Sequence, residues 1–395
     1  VIPRRLADVP ASVVVRGDPE LLIGGAAIDS RLVRPGDLFV AIRGGIEHVD
    51  AAVRAGAVAI AVEEDAIDRI GDAPNVLMTF SSTRLLQCLG DVNAAASTAV
   101  RVGITGSTGK TSTKDAVAHL VAGQRRVAAA AAGHNNEIGY PLTLCAIAED
   151  TEVAVCELAM RGLGQIAELC AMASPDVGVI TNVGVAHIEL LGSREAIAQA
   201  KAEIVNGLRE GGTAVIPFVE PLLDPHLPAG IPIVTFGEEA GADVQLVDRR
   251  PLEDGQALTY LVEGDLLAFE TNLAGRHQAL NLAASLAVCR VLGLDLGEVA
   301  LRARDVPQQP WRGEEIALPG GIVVVNDAYN ANPASVEAAL RLLAETPAPG
   351  RRIAVLGLMA ELGPDAEAMH RDVGALAARL GVDALVAVGP EARGY

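Results

Sequence analysis

Apolar residues in this chain fall into two patterns. From about residue 102 to residue 307, short unbroken runs of Val, Ile and Ala alternate with longer stretches in which apolar side chains recur every three or four positions. The short runs read as buried strands, and the 3.6-residue period reads as amphipathic helix. Strands are expected at 102–105, 153–157, 177–182 and 213–216, and helices at 111–122, 163–173 and 195–208. Such alternation predicts a mostly parallel sheet with helices on both faces. Between about 231 and 272 the runs shorten around the turn signals Glu253-Asp254-Gly255 and Glu263-Gly264-Asp265, which predicts an antiparallel insert.

Flanking segments carry the same αβ character in smaller blocks. Leu38-Phe39-Val40-Ala41-Ile42 and Ala57-Val58-Ala59-Ile60-Ala61-Val62, broken by Gly and Pro, suggest a small α/β domain over residues 1–98. Pro307, Pro310 and the glutamines between them mark a linker. Beyond it, strands at 322–326, 353–356 and 385–388 separated by helices predict a Rossmann-like unit. The expected domains are 1–98, 99–306 and 307–395.

Composition narrows the classes. Half of the 395 residues are hydrophobic but only 3% are aromatic, so the core must be built from Ala, Val, Leu and Ile. Disorder is excluded by that apolar fraction. With 50 acidic against 31 basic side chains and a formal charge of −19, non-specific nucleic-acid binding is disfavoured, because it needs a basic face to displace counterions. No apolar run approaches the ~18 residues that span a bilayer, so membrane insertion is not expected. Val1-Ile2-Pro3-Arg4-Arg5 leads into no apolar stretch of the kind a signal peptide needs. The five cysteines form no CxxC pair, and four lie in apolar segments where a small buried hydrophobe is the simpler reading. A reducing, cytoplasmic setting fits.

Of the 31 basic residues only three are lysines: Lys110, Lys114 and Lys201. Arg substitutes for Lys on most surfaces, but not where a compact point charge or a deprotonatable amine is required. Lys110 lies in Gly103-Ile104-Thr105-Gly106-Ser107-Thr108-Gly109-Lys110-Thr111-Ser112, after an expected strand and at the start of an expected helix. In that context glycines turn backbone N–H groups around phosphate oxygens, the lysine reaches the β- and γ-phosphates, and the threonine hydroxyl sits on Mg²⁺. Lys114, one turn on, reads rather as a solvated helix residue. A guanine-reading N-K-x-D segment is absent, since none of the three lysines follows Asn, which removes the GTPase class.

Two further groups fall at carboxyl ends of expected strands, where open α/β sheets bind ligands. Glu157 ends the strand at 153–157, and a carboxylate there suits Mg²⁺, which takes few protein oxygens. His187 follows the strand at 177–182 after a Gly-containing loop; a lone His is more often structural, but this position favours a site role. Lys201 lies among Ala198, Ala200 and Ala202 on an expected helix. An amine buried there has a lowered pKa and can add CO₂ to become a carbamate, a metal-ligating anion.

Together with Asn135-Asn136-Glu137-Ile138-Gly139-Tyr140-Pro141, Gly275-Arg276-His277 with Asn281, Asn326-Asp327-Ala328-Tyr329-Asn330-Ala331-Asn332-Pro333 and the Leu-Gly-Leu-Met-Ala-Glu-Leu-Gly run from Leu356, these residues resemble the Mur ligase family. The resemblance covers most of the chain. It implies a three-domain α/β architecture with a central P-loop sheet and a C-terminal Rossmann-like domain. It also implies an ATP-dependent, ADP-forming ligase that adds D-alanyl-D-alanine to UDP-N-acetylmuramoyl-tripeptide in peptidoglycan precursor synthesis, working as a monomer. By that resemblance Gly106 to Ser112 hold ATP with Mg²⁺, two ions being expected. Thr111, Glu157, His187 and a carbamylated Lys201 place the metals; Lys110, Lys201, His187 and Glu157 form the catalytic set. His277 and Asn281 border the adenine, and Arg312, Asp327 and Asn330 close from the third domain. Ser30, Arg31, Asn135, Asn136 and Asn332 contact substrate. The chain departs from the family pattern at Gly133-His134 and at Trp311, and the resemblance implies a third domain continuing past Tyr395. Another Mur-type or folylpolyglutamate-type amino-acid ligase is the alternative, and a non-catalytic nucleotide-binding protein a third reading.

Overall fold

A computed structural model describes residues 1–346 and 350–395. The chain divides into two compact units. The first comprises Val1–Val102, Arg125–Leu158 and Glu168–Pro175, and the second Gly103–Gln124, Ala159–Ala167 and Asp176–Tyr395.

In the first unit a five-stranded sheet runs in the order Val13–Arg16, Val76–Thr79, Ala59–Glu63, Asp37–Val40, Gly25–Ala27. Its last four strands are parallel, and Val13–Arg16 is antiparallel to its neighbour. The unbroken apolar runs noted above arise because both faces are covered, as parallel sheets require. Successive side chains alternate between faces. Leu38, Val40, Ala59 and Ala61 pack with Leu85, Leu86 and Leu89 of helix Ser82–Ala95. Phe39, Ile60 and Val62 pack on the other side with Val49 and Ala52 of helix Val49–Ala55. The same unit holds the parallel pair Val127–Ala129 and Val153–Glu157, together with the wholly buried helix Gly139–Cys145.

The second unit carries strands in the order Val177–Ile180, Thr213–Pro217, Ile233–Gly237, Val244–Leu252, Gly255–Val262, Asp265–Thr271. The first four are parallel and the last two antiparallel. The expected antiparallel insert is therefore an extension of the parallel sheet, entered through Ile233–Gly237 and Val244–Leu252. Only its two hairpins, turning at Glu253-Asp254 and Glu263-Gly264, are antiparallel. In Gly255–Val262 the residues Gln256, Leu258, Tyr260 and Val262 are buried in strict alternation, the period of a strand with one covered face. Helix Arg276–Val291 covers that face and packs on helix Lys110–Val121.

Past the linker, Ile322–Asn326 pairs antiparallel with Glu314–Leu318, and Ile353–Leu356 pairs in parallel with Ala384–Ala387. Three strands separated by helices were expected here, but the first of them belongs to a hairpin. Its partner, Glu-Glu-Ile-Ala-Leu, is too charged to register as a strand, and Gly320-Gly321, both at positive φ, return the chain on itself. The parallel pair with helices Pro333–Glu345 and Ala366–Arg379 forms the Rossmann-like part, around Val336, Leu340, Ala354, Met359, Leu362 and Val373. Among the described residues no helix is long and apolar enough to cross a membrane.

Candidate active site

The phosphate loop joins strand Val100–Thr105 to helix Lys110–Val121. Gly106 and Gly109 are both at positive φ, +153° and +77°. A Cβ on Gly106 would lie 1.8 Å from Thr181 Oγ1, and one on Gly109 would lie 2.4 Å from Asn281 Oδ1. Only glycine fits at either place. The close approach has a purpose, because Thr181–Gly184 laces the loop from outside. Thr181 Oγ1 donates to the Thr108 carbonyl at 2.6 Å, and Thr108 N–H donates to Asn182 Oδ1 at 3.1 Å. Asn182 Nδ2 donates back to the Thr108 carbonyl at 3.0 Å, and Gly184 N–H donates to Ser107 Oγ at 2.8 Å. The loop is thus held open as a concave turn at a helix N-terminus, the geometry that binds anions. Lys110 Nζ donates to the Gly106 carbonyl at 2.8 Å, folded over the loop it would share with phosphates. Thr111 is buried at the first turn. Lys114 is also buried and pairs with Asp115 at 2.6 Å, so its reading as a solvated helix residue does not hold.

Lys201 lies on the apolar face of helix Arg194–Asn206, whose N-terminus is capped by Ser193 accepting from Ala196 N–H at 3.2 Å. The residue is 1% exposed. Burial drives its amine well below the usual lysine range, and the Lys110 charge pushes it further the same way. Such an amine is neutral over a far wider pH range than a surface lysine.

His187 occupies the N-cap position of the short helix Ile188–Leu191 with φ +65°. Its Nδ1 meets Glu361, and Glu361 Oε1 also accepts from Arg161 Nη2 at 3.1 Å. Desolvation lowers the His187 pKa; Glu361 opposes that, and Lys110 and Lys201 add to it. His187 therefore shares the electrostatic surroundings of the two lysines. Glu361 and Arg161 lie in segments with a recognisable pattern, yet nothing in their spacing shows that they meet. The brace from Thr181 and Asn182 was likewise invisible along the chain.

A groove runs beside the phosphate-loop helix, lined by Ser112, Asp115, Gln278, Arg312 and the Val306–Gln309 linker. Asn281 stands at the loop, with Nδ2 donating to Gln278 Oε1 at 3.0 Å. His277 instead sits in the field of Arg249 and Glu345, its pKa lowered to about 4 chiefly by burial. The Arg312 guanidinium stacks 3.8 Å from the centre of the Tyr329 ring. Burial raises the Asp327 carboxyl to about 6, against the opposing Arg312 charge and the Gly313 N–H. Asn330 Oδ1 accepts from the Ala331 N–H at 2.9 Å. Asn332 caps helix Pro333–Glu345, accepting from Ser335 N–H at 3.0 Å in a reciprocal capping box.

The other expected residues belong to the first unit. Glu157 ends strand Val153–Glu157 at 3% exposure and accepts from Asn135 Nδ2 at 2.9 Å. Asn136 Oδ1 accepts from the Gly139 N–H at 3.0 Å and opens helix Gly139–Cys145. Arg31 pairs with Asp29 at 2.6 Å on the surface beside Ser30, and that pairing holds the Asp29 carboxyl at about 2.

Residues 104–289 match the Mur ligase middle domain, and residues 311–395 match the Mur ligase, glutamate ligase domain. The chain is 35% identical over 361 residues to the UDP-N-acetylmuramoyl-tripeptide–D-alanyl-D-alanine ligase of Bacillus subtilis, covering 90% of this chain and 78% of that protein. Among solved structures, MurF from Acinetobacter baumannii superimposes with a TM-score of 0.84 at 26% identity, covering 95% and 83% of the two chains. MurF ligase from Thermotoga maritima in complex with ADP gives 0.80 at 32% identity, covering 94% and 86%.

Proposed function

This chain belongs to the Mur ligase family, and from that premise we propose that it joins D-alanyl-D-alanine to UDP-N-acetylmuramoyl-tripeptide with ATP, forming ADP and phosphate. The observation that carries the reading is similarity along nine-tenths of the chain to a ligase of that name. The braced phosphate loop and the buried Lys201 supply chemistry to match. The working domains are taken as 1–98 for the UDP end, 99–306 for ATP and 307–395 for closure. The cytoplasm is the proposed location.

A carboxylate is a poor electrophile because its charge is delocalised over two oxygens. In the first step a carboxylate oxygen of the tripeptide attacks the γ-phosphorus of ATP, ADP departs, and an acyl phosphate forms. The amine of D-alanyl-D-alanine, in its neutral form, then adds to the acyl carbon, and the tetrahedral intermediate expels phosphate. Two anions must meet in the first step, so positioning and charge neutralisation dominate catalysis. Lys110 neutralises the β- and γ-phosphates from the loop, while backbone N–H groups of residues 106–112 hold them. His277 and Asn281 are assigned to border the adenine, and Arg312 to close on the nucleotide from the third domain. Asp327 and Asn330 approach from the third domain, and Asn332 serves chiefly by capping the helix behind them. Asn135, Asn136, Ser30 and Arg31 stand on the substrate side.

Among the described residues no three His, Cys, Asp or Glu side chains form a metal-holding group by themselves. Mg²⁺ keeps waters and binds through phosphate plus one or two protein oxygens. Thr111 would hold one ion beside the phosphates, and Glu157, His187 and a carbamate on Lys201 would place a second; together they would supply charge neutralisation between carboxylate and phosphate. Lys201 as a cation could not serve; its depressed basicity favours the amine that accepts CO₂.

Phosphate release from ATP and UDP-N-acetylmuramoyl-tripeptide, measured with and without D-alanyl-D-alanine, tests the assignment. Sustained release is expected only with the dipeptide. Release independent of it, or dependent on glutamate in its place, would replace this reading with the amino-acid-adding alternative.

A further inference from the structure

His187 and Glu361 face each other from two turns, each holding a non-glycine residue at positive φ, +65° and +59°. That conformation is costly for a residue with a Cβ and persists only when the surroundings enforce it. The Glu361 carboxylate is fully engaged. One oxygen takes His187 Nδ1 and the other accepts from Arg161 Nη2 at 3.1 Å, while the Glu361 backbone carbonyl accepts from Glu189 N–H at 3.2 Å. The turn is also fixed from behind. Met359 N–H donates to Nε2 of buried His370 at 3.1 Å, His370 Nδ1–H donates to the Ala366 carbonyl at 2.6 Å, and Tyr395 Oη–H donates to the Gly357 carbonyl at 2.9 Å. Met359 and Leu362 are buried on either side of Glu361. Apart from His187, the reaction described above uses none of these groups.

We propose that Glu361 is a positioning residue that sets the tautomer and ring orientation of His187. A carboxylate accepting the Nδ1–H of an imidazole leaves the lone pair on Nε2, and this is how metal-ligating histidines are commonly oriented. Nε2 is then the nitrogen offered to a ligand. The inference rests on His187 being a metal-side residue, as assigned above. It adds that this residue is complete only while the 356–362 segment is docked on the turn that carries it. A carboxylate beyond the linker thereby couples the seating of that segment to the metal side of the ATP site.

The test measures Mn²⁺ binding by the electron paramagnetic resonance of free Mn²⁺, with a non-hydrolysable ATP analogue present and no second substrate. Glu361→Ala is expected to weaken Mn²⁺ binding about ten- to a hundredfold. Glu361→Gln, whose amide oxygen still accepts the Nδ1–H, should stay near the wild type. In a His187→Ala background, Glu361→Ala should add no further loss, because the imidazole it positions is gone. A merely structural role would instead penalise both backgrounds alike and lower the melting temperature. Unchanged Mn²⁺ affinity in Glu361→Ala, tighter binding, or an equal loss with and without His187 would overturn the proposal. Because metal binding is read without ligation, a chain that failed to use the dipeptide would leave this result standing.

Discussion

Two buried side chains concentrate the chemistry at the residue scale. Lys201 is placed where a guanidinium could neither be neutralised nor carbamylated, so Lys201→Ala and Lys201→Arg should both lose roughly a hundredfold or more in turnover. Nucleotide binding should survive in Lys201→Ala, and formate or acetate should restore part of its activity by standing in for the carbamate. Full activity in Lys201→Arg would remove the amine from the mechanism. Gly106→Ala should abolish ADP binding in calorimetry, since its Cβ would strike Thr181 Oγ1 at 1.8 Å. His277 makes a pH prediction with a definite sign. Its pKa is about 4 when folded, against 6.5 for a free imidazole, so the unfolded chain binds the extra proton first as pH falls. Its contribution is fully present above pH 6.5 and is lost as pH drops towards 4, by at most about 3 kcal/mol. Asp327, raised to about 6, acts oppositely and loses stability as pH rises from 3.8 through 6. Denaturant midpoints of His277→Gln should be flatter than wild type between pH 4 and 6.5; an unchanged profile would contradict the shift.

Secondary elements were the most legible level, because burial on both faces leaves unbroken apolar runs that cannot be mistaken for loops. Strand Val153–Glu157 lies where the pattern put it, and helix Arg194–Asn206 begins one residue early because Ser193 caps it. Failures occurred where local pattern and tertiary partner disagree. Glu314–Leu318 is a strand by virtue of its pairing with Ile322–Asn326, not of its own apolar content. Val244–Leu252 sits between a parallel and an antiparallel neighbour, a fact no single segment encodes. Caps do act locally, and one carries a prediction. Asn332→Ala removes the side-chain half of a capping box, leaves its backbone N–H donating to Ser335 Oγ, and should cost ~1 kcal/mol. Hydrogen exchange should then quicken in the first turn of Pro333–Glu345 while leaving Ala366–Arg379 unchanged; equal quickening in both helices would point to a wider disruption.

For the whole molecule, two compact units make a single two-state transition unexpected. Calorimetric unfolding should show a van't Hoff enthalpy below the measured one. ADP with Mg²⁺ should raise the transition of the unit that contains the phosphate loop, by about 2.7 kcal/mol at a hundred times the dissociation constant. A shift of the other transition alone would misplace the nucleotide site. The charge of −19 left little trace in the site, where local groups dominate: Lys201 is governed by burial and by one neighbouring cation. By itself the sequence determined the αβ alternation, the phosphate loop and the three lysines worth testing, because those depend on local period, on glycine and on residue type. Only the tertiary structure decided that Thr181 and Asn182 brace the loop, that Lys114 is buried against Asp115, and that Glu361 reaches His187 across more than 170 positions. Those contacts join residues distant in the chain, and their free energy comes from burial and hydrogen bonds that exist only once the segments have packed.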